Sequence, residues 1–305
     1  MSRFAPVFVI IAASLWGIDG IILRPSLFTL PVPLVVFIES TIVAVLLSPI
    51  IIKQYSKLKT LKMLDWLSFI GVALLGGAIG GMAITKALFY VNFVNLSIVI
   101  LIQKLQPVFA LILAAILLKE RLPREFFMWA GFAILGAYLM TFGVKLPNLD
   151  SGESTVLAGL FALVAAASFG SSTVLSKRAL KNVGFELGTY IRFAMSAVLL
   201  IFVVIGTGAI TETVNITEHQ WWIFLLIAFT TGGPAIFLYY YGLKKITASV
   251  ATICELAFPL TAVVLEYFVR GNLLNIVQWI GVFILISSMV KVSGIQIGKL
   301  PGNNN

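Results

Sequence analysis

Residues 103–123 read QKLQPVFALILAAILLKERLP, and residues 254–269 read CELAFPLTAVVLEYFV. Both place a short polar step ahead of a proline and a long apolar run. A membrane strand needs only about 9 to 11 residues and alternates in polarity, so neither stretch reads as a strand. Both are expected to be membrane helices kinked near Pro107 and Pro259. A proline inside a helix removes the hydrogen bond to the carbonyl four residues earlier, which here belongs to Gln103 and to Glu255. A freed carbonyl at mid-membrane, beside Lys104, Gln106 or the Glu255 side chain, is a contact for a solute or for water. The bland alternative is a packing kink with nothing bound.

The rest of the chain has the same character. Of its 305 residues, 60% are hydrophobic and 11% are charged, where soluble domains carry about 25% charge. That composition excludes a soluble globule, whose surface it would leave apolar, and it excludes disorder. Apolar runs between charged or Pro/Gly-rich breaks fall at 5–24, 33–52, 65–89, 96–118 and 126–143, then at 155–175, 187–206, 220–241, 248–269 and 274–291. At about 20 residues per crossing, ten helices fill most of the chain and leave no room for a soluble domain. The expected fold is an all-α integral membrane protein with ten transmembrane helices.

Cys254 is the sole cysteine, so no internal disulfide forms, and no Cys/His cluster is present to hold a metal. No cofactor is expected. A net charge of +9 would point to nucleic acid in a soluble protein; here its distribution sets orientation instead. With a cytoplasmic amino terminus, fifteen basic residues fall on inner segments, among them Arg3, Lys53, Lys119, Lys177, Lys244, Lys291 and Lys299. Four fall outside: Arg24, Lys86, Lys145 and Arg270. The expected location is the cell (inner) membrane, multi-pass, with both termini cytoplasmic. Residues 1–24 have the look of a signal peptide, but the same segment recurs inside the chain.

That recurrence is an internal repeat at a shift of about 152 residues. Ser14, Trp16, Gly17 and Arg24 match Ser168, Phe169, Gly170 and Lys177; Glu39 matches Arg192; Ala83, Ser97 and Pro107 match Ala235, Ser249 and Pro259; Trp129 and Gly131 match Trp279 and Gly281. The two units are 5–143 and 155–291. Five crossings per unit force the second to enter the membrane from the opposite face, giving an inverted 5+5 repeat of the kind that supports alternating access.

With these stretches in hand, the chain resembles the drug/metabolite transporter superfamily, carrying its five-helix EamA unit twice. The resemblance implies a ten-helix carrier of small metabolites, with a central cavity built mainly by spans 3, 4, 8 and 9. Two departures stand out: Glu39 occupies a position where such units often carry Arg, as Arg192 does in the second half, and Gly271 and Asn272 replace the usual Glu-Arg after the ninth span.

Charges inside a span cost about 2.5–3.5 kcal/mol each at the helix centre on insertion scales, so each needs a partner or a function. The clearest are Asp19, Glu39, Lys104, Arg192 and Glu255. At about 1.5 Å of rise per residue, they sort into an outer layer of Asp19, Glu39 and Lys104 and an inner layer of Arg192 and Glu255. Asp19, Glu39 and Arg192 are read either as structural ion pairs or as coupling groups, with Asp19, Glu39 or Glu255 as the carrier of a proton. Lys104, Gln103 and Glu255 are read as substrate contacts, with Trp16, Tyr90 and Tyr239 as an aromatic wall. Trp221 and Trp222 read as interfacial belt residues. The stretch GGAIGGMA at 76–83 and the pair Gly232–Gly233 allow close helix approach or flexing.

An intramembrane enzyme would need a nucleophile with its base, or a metal site, and His219 and Cys254 supply neither. The expectation is a secondary transporter, not an enzyme, whose partners are the lipid bilayer and a small polar or amphipathic solute. Lys104 with carboxylates and aromatics suits an amino acid or a related zwitterion. Export is the more frequent role among such carriers, with uptake as the alternative and a non-transporting structural or receptor protein as the competing class.

Overall fold

The computed structural model describes residues 4–90, 99, 102–144, 153–270 and 274–295, and among them every regular element is helical. Arg3, Ser97, Lys145, Gly271, Asn272 and Lys299 lie outside the described residues, as do the start of the fourth apolar run and the side chain of Arg270. Nine helices among the described residues are long and apolar enough to cross a membrane. They are α1 (Ala5–Leu27), α2 (Val32–Leu58), α3 (Met63–Tyr90), α5 (Arg124–Phe142), α6 (Val156–Ala179), α7 (Phe185–Gly206), α8 (Glu218–Leu243), α9 (Ala248–Leu265) and α10 (Ile276–Gly294). Between α3 and α5 lies the shorter apolar helix α4 (Gln106–Leu118). Large apolar side chains such as Ile52, Phe202 and Phe283 face outward, as Trp222 does at the start of α8. That is the surface a bilayer requires of a multi-pass protein.

Local chemistry sets the helix ends. Pro6, Pro33 and Pro107 stand in first turns, where the missing N–H costs nothing. Thr217 with Gln220 and Asn275 with Gln278 form reciprocal caps at the starts of α8 and α10. Lys119, at φ 53°, ends α4 in the left-handed region. The second run extends past its expected end at residue 52 to Leu58, through a kink at Gln54. Charged residues end an apolar run without breaking a helix.

The helices pair in a pattern that mirrors the repeat. Thus α2 packs on α7, α4 on α9 and α5 on α10, while α1 packs on α8 and α9, and α6 on α3 and α4. Two glycines show how close the matching contacts are. A Cβ on Gly17 of α1 would lie 2.9 Å from the Phe258 carbonyl oxygen of α9, and one on Gly170 of α6 would lie 2.7 Å from the Gln106 carbonyl oxygen of α4. Gly136 and Gly281 likewise bring the backbones of α5 and α10 together. Across the junction between units, Glu120 accepts from the backbone N–H groups of Ala248 (2.9 Å) and Ser249 (3.2 Å), so its carboxylate caps the start of α9 from the far side of the sequence.

Four helices contain a wide, π-type turn: Asp19–Leu23, Ala73–Ile79, Ala114–Leu118 and Ala228–Gly232. Those in α3 and α8 hold Gly76, Gly77 and Gly232 of the glycines singled out in the sequence. A Cβ on Gly76 would come 2.1 Å from Ser172 Oγ, and one on Gly77 2.0 Å from Ser196 Oγ. Gly76 and Gly77 therefore serve close approach of α6 and α7 to α3.

Candidate functional site

The helices enclose a cavity of about 290 Å³. Its wall takes residues from α1, α2, α3, α4, α6, α7, α8 and α9. The expectation of a cavity built mainly by spans 3, 4, 8 and 9 is thereby widened to include α1, α2, α6 and α7. Helices α5 and α10 pack on each other and contribute nothing to it.

On one part of the wall, Arg24 gathers two carboxylates. Its Nη2 lies 2.7 Å from Asp19 Oδ2 and its Nε 2.9 Å from the same oxygen. The same Nη2 also donates to Glu39 Oε2 at 3.3 Å, and Nη1 to Thr85 Oγ1 at 3.3 Å. Arg24 is therefore not a loop charge, as its place in the linear count implied. The wide turn that follows Ile18 carries it five residues on, back over Asp19. Lys104, expected in the same layer, is not part of this cluster. It donates to Thr141 Oγ1 at 2.8 Å and sits 5.3 Å from the Phe142 ring.

Elsewhere on the wall, Glu255 is held by neutral donors. Tyr239 donates to its Oε1 at 2.7 Å and Thr173 at 3.1 Å, and Gln106 Nε2 donates to Oε2. Arg192, assigned to the same layer, makes no ion pair with it. Its guanidinium reaches the Tyr240 hydroxyl and the Gly76 carbonyl, each at 3.3 Å, and Ser176 completes the Tyr240 contact at 2.9 Å.

The helical breaks fall where the prolines direct them. Turn residues Lys104–Leu105 precede α4, and Glu255–Leu256 divide α9. The Glu255 carbonyl is not free, however: with the bond from residue 259 lost, it accepts from the N–H of Phe258 at 3.0 Å. The polar atoms left without a partner around the cavity are on side chains instead. Among the described residues, Asp19 Oδ1, Gln103 Nε2, Ser172 Oγ, Thr231 Oγ1 and Thr252 Oγ1 are buried without a hydrogen-bond partner, and all five belong to cavity-lining residues.

Aromatic rings complete the wall. Trp16 and Tyr239 stand 5.3 Å apart, with Phe169, Phe193 and Phe258 also lining the cavity. Tyr90 does not join them. It stacks on Phe161 at 5.7 Å, with Lys86 Nζ 5.1 Å from its ring. Of the residues read from sequence, the cavity thus collects Trp16, Asp19, Glu39, Gln103, Lys104, Pro107, Arg192, Tyr239, Glu255 and Pro259, and omits Tyr90. The reading missed Arg24, Ser172, Thr173, Thr231 and Thr252. For Arg24 a signal existed, an acid five residues earlier and a proline directly after it.

A polar chamber with aromatic walls, enclosed by membrane helices, is the architecture of a membrane transporter. The chain belongs to the EamA-like transporter family, whose pattern matches residues 3–142 and again 156–294. It is 46% identical over 288 residues to the "Riboflavin transporter ImpX" of Fusobacterium nucleatum, covering 94% of this chain and 96% of that protein. An "Uncharacterized transporter" of Clostridium kluyveri is 24% identical over 264 residues, covering 85% of this chain and 83% of the relative. A solved crystal structure superposes with a TM-score of 0.71 at 17% identity, covering 95% of this chain and 96% of that one, a likeness of fold alone.

Proposed function

We propose that this protein is a secondary transporter which moves a planar, hydrogen-bonding solute of the riboflavin type across the cell membrane by alternating access. In this reading the units 5–143 and 155–291 are inverted copies of five helices each, ten crossings in all, with both termini cytoplasmic. The mirrored contacts of Gly17 with Phe258 and of Gly170 with Gln106 support the repeat. Two halves related in this way pass between states open to either face at similar energy. The direction of net movement then follows the solute gradient and any coupled ion, so export and uptake use one site.

The observation that carries the proposal is the set of five buried polar atoms without a hydrogen-bond partner, on residues of a wall that also carries aromatics. Buried polar groups are costly unless bonded, and a solute that is flat, apolar on its faces and polar at its edges would satisfy them. That description favours a flavin over the amino acid suggested by the sequence, and the name of the Fusobacterium relative points the same way. The test is exchange of labelled riboflavin by vesicles containing the full chain. Saturable exchange is expected, reduced at least about tenfold by Glu255→Gln while the protein still purifies folded. Exchange of labelled amino acids without riboflavin would return the reading to a zwitterion carrier, and exchange of neither would reject both.

A further inference from the structure

Lys104 has hydrogen-bonding capacity that the described residues do not fill. Its ammonium carries three N–H donors, and the residue is 4% exposed. One donor is taken by Thr141 Oγ1, a hydroxyl whose own hydrogen goes to the Ala137 carbonyl. Among the described residues no carboxylate forms an ion pair with Lys104; the ion pairs there are those of Arg24. The adjacent Gln103 Nε2 is also buried and has no partner. Both side chains line the cavity at the break just before α4, the end of a helix that carries partial positive charge.

Two neighbouring residues of the cavity lining therefore carry unfilled donors, and among the described residues one of them is a cation without a counter-ion. We infer that Lys104 and Gln103 form a subsite for an oxyanion, a carboxylate or phosphate monoester, borne by the transported solute. The inference rests on the reading of this cavity as the solute site. A neutral solute leaves the buried ammonium unpaired, which is the unfavourable condition for a charge out of water. An oxyanion neutralises it and accepts charge-assisted hydrogen bonds from both side chains. Asp19 and Glu39 do not fill this role, because they are bound to Arg24 in a different cluster. For a flavin the consequence is definite: riboflavin 5′-phosphate, rather than the free vitamin, is the better ligand.

The test uses the full chain in phosphatidylcholine vesicles. Unlabelled riboflavin and riboflavin 5′-phosphate compete for the exchange of labelled riboflavin. The phosphate is expected to half-inhibit at a concentration at least about tenfold lower. Lys104→Met should collapse that ratio to near one, and Lys104→Arg should keep it. A wild-type ratio near one, or a ratio that survives Lys104→Met, overturns the subsite. If Lys104→Met does not fold, Lys104→Gln replaces it and the wild-type ratio still decides.

Where wild-type vesicles exchange no riboflavin, the decision passes to the melting temperature of the detergent-purified protein with benzoate or with benzamide. A rise of about 2 °C or more with benzoate alone, lost in the lysine variant, keeps the oxyanion subsite and removes the flavin reading. No benzoate-specific rise removes both. Riboflavin exchange without a phosphate advantage removes the subsite and leaves the transport reading intact.

Discussion

Asp19 and Glu255 are both buried carboxylates on one cavity wall, and their surroundings are opposite. Asp19 shares a guanidinium with Glu39, and the contacts of that cluster run between α1, α2 and α3 alone. Glu255 is held by a phenol, a hydroxyl and an amide drawn from α8, α6 and α4. The first cluster is charge-paired and lies within one repeat of the chain. The second keeps its carboxylate without an ion pair and joins helices from both repeats. Relative movement of the halves would leave the Arg24 cluster whole and would have to remake the bonds to Glu255. One set of charges is thus suited to fixing helices in place, and the other to responding to what enters.

The strongest test of that contrast is Arg24→Leu, which leaves two adjacent buried carboxylates unpaired. It should cost about 3–5 kcal/mol, seen as a large fall in melting temperature or loss of monodisperse protein. A variant that melts with the wild type would break the comparison. Tyr239→Phe comes next. It removes one of the neutral donors to Glu255 and should cost about 1.5–3 kcal/mol, measured by the same melt. A loss equal to that of Arg24→Leu would mean that the two clusters do the same structural work. The smallest effect belongs to Tyr90→Phe, outside the cavity, expected within about 0.5 kcal/mol in stability and with unchanged solute exchange. A marked loss of exchange there would extend the site beyond the wall described above.

The apolar runs announced the helices well, because about 20 residues of hydrocarbon thickness leave a plain mark on composition. Pro107 and Pro259 announced the breaks for a similarly local reason. What the sequence hid were the partners. Arg24 reads as a loop charge until a wide turn folds it back on Asp19, and its reach to Glu39 crosses the turn between α1 and α2. Thr173 and Thr252 were invisible for a different reason. A hydroxyl in a membrane helix ordinarily bonds to its own helix, as Thr141, Thr189 and Ser288 do here, so nothing in the sequence marks the few that turn elsewhere. Glu120 stood in a recognisable motif, yet its role as a cap for α9 depends on a contact between positions 128 residues apart.

The wide turns in α3 and α8 have a mechanical consequence. The turn in α3 is a dislocation in an otherwise regular ladder, one residue too many for the turn with the ladder resuming on either side, whereas the one in α8 runs into Pro234, which has no N–H to give. A dislocation can glide, because each bond broken at its leading edge is replaced by one formed behind it. Passage by one residue would turn the segment crossed by about 100° and shift it by about 1.5 Å, and the seats of Gly76 and Gly77 against Ser172 and Ser196, where no Cβ fits, oppose it. The two glycines thus latch the dislocation of α3 in a single register.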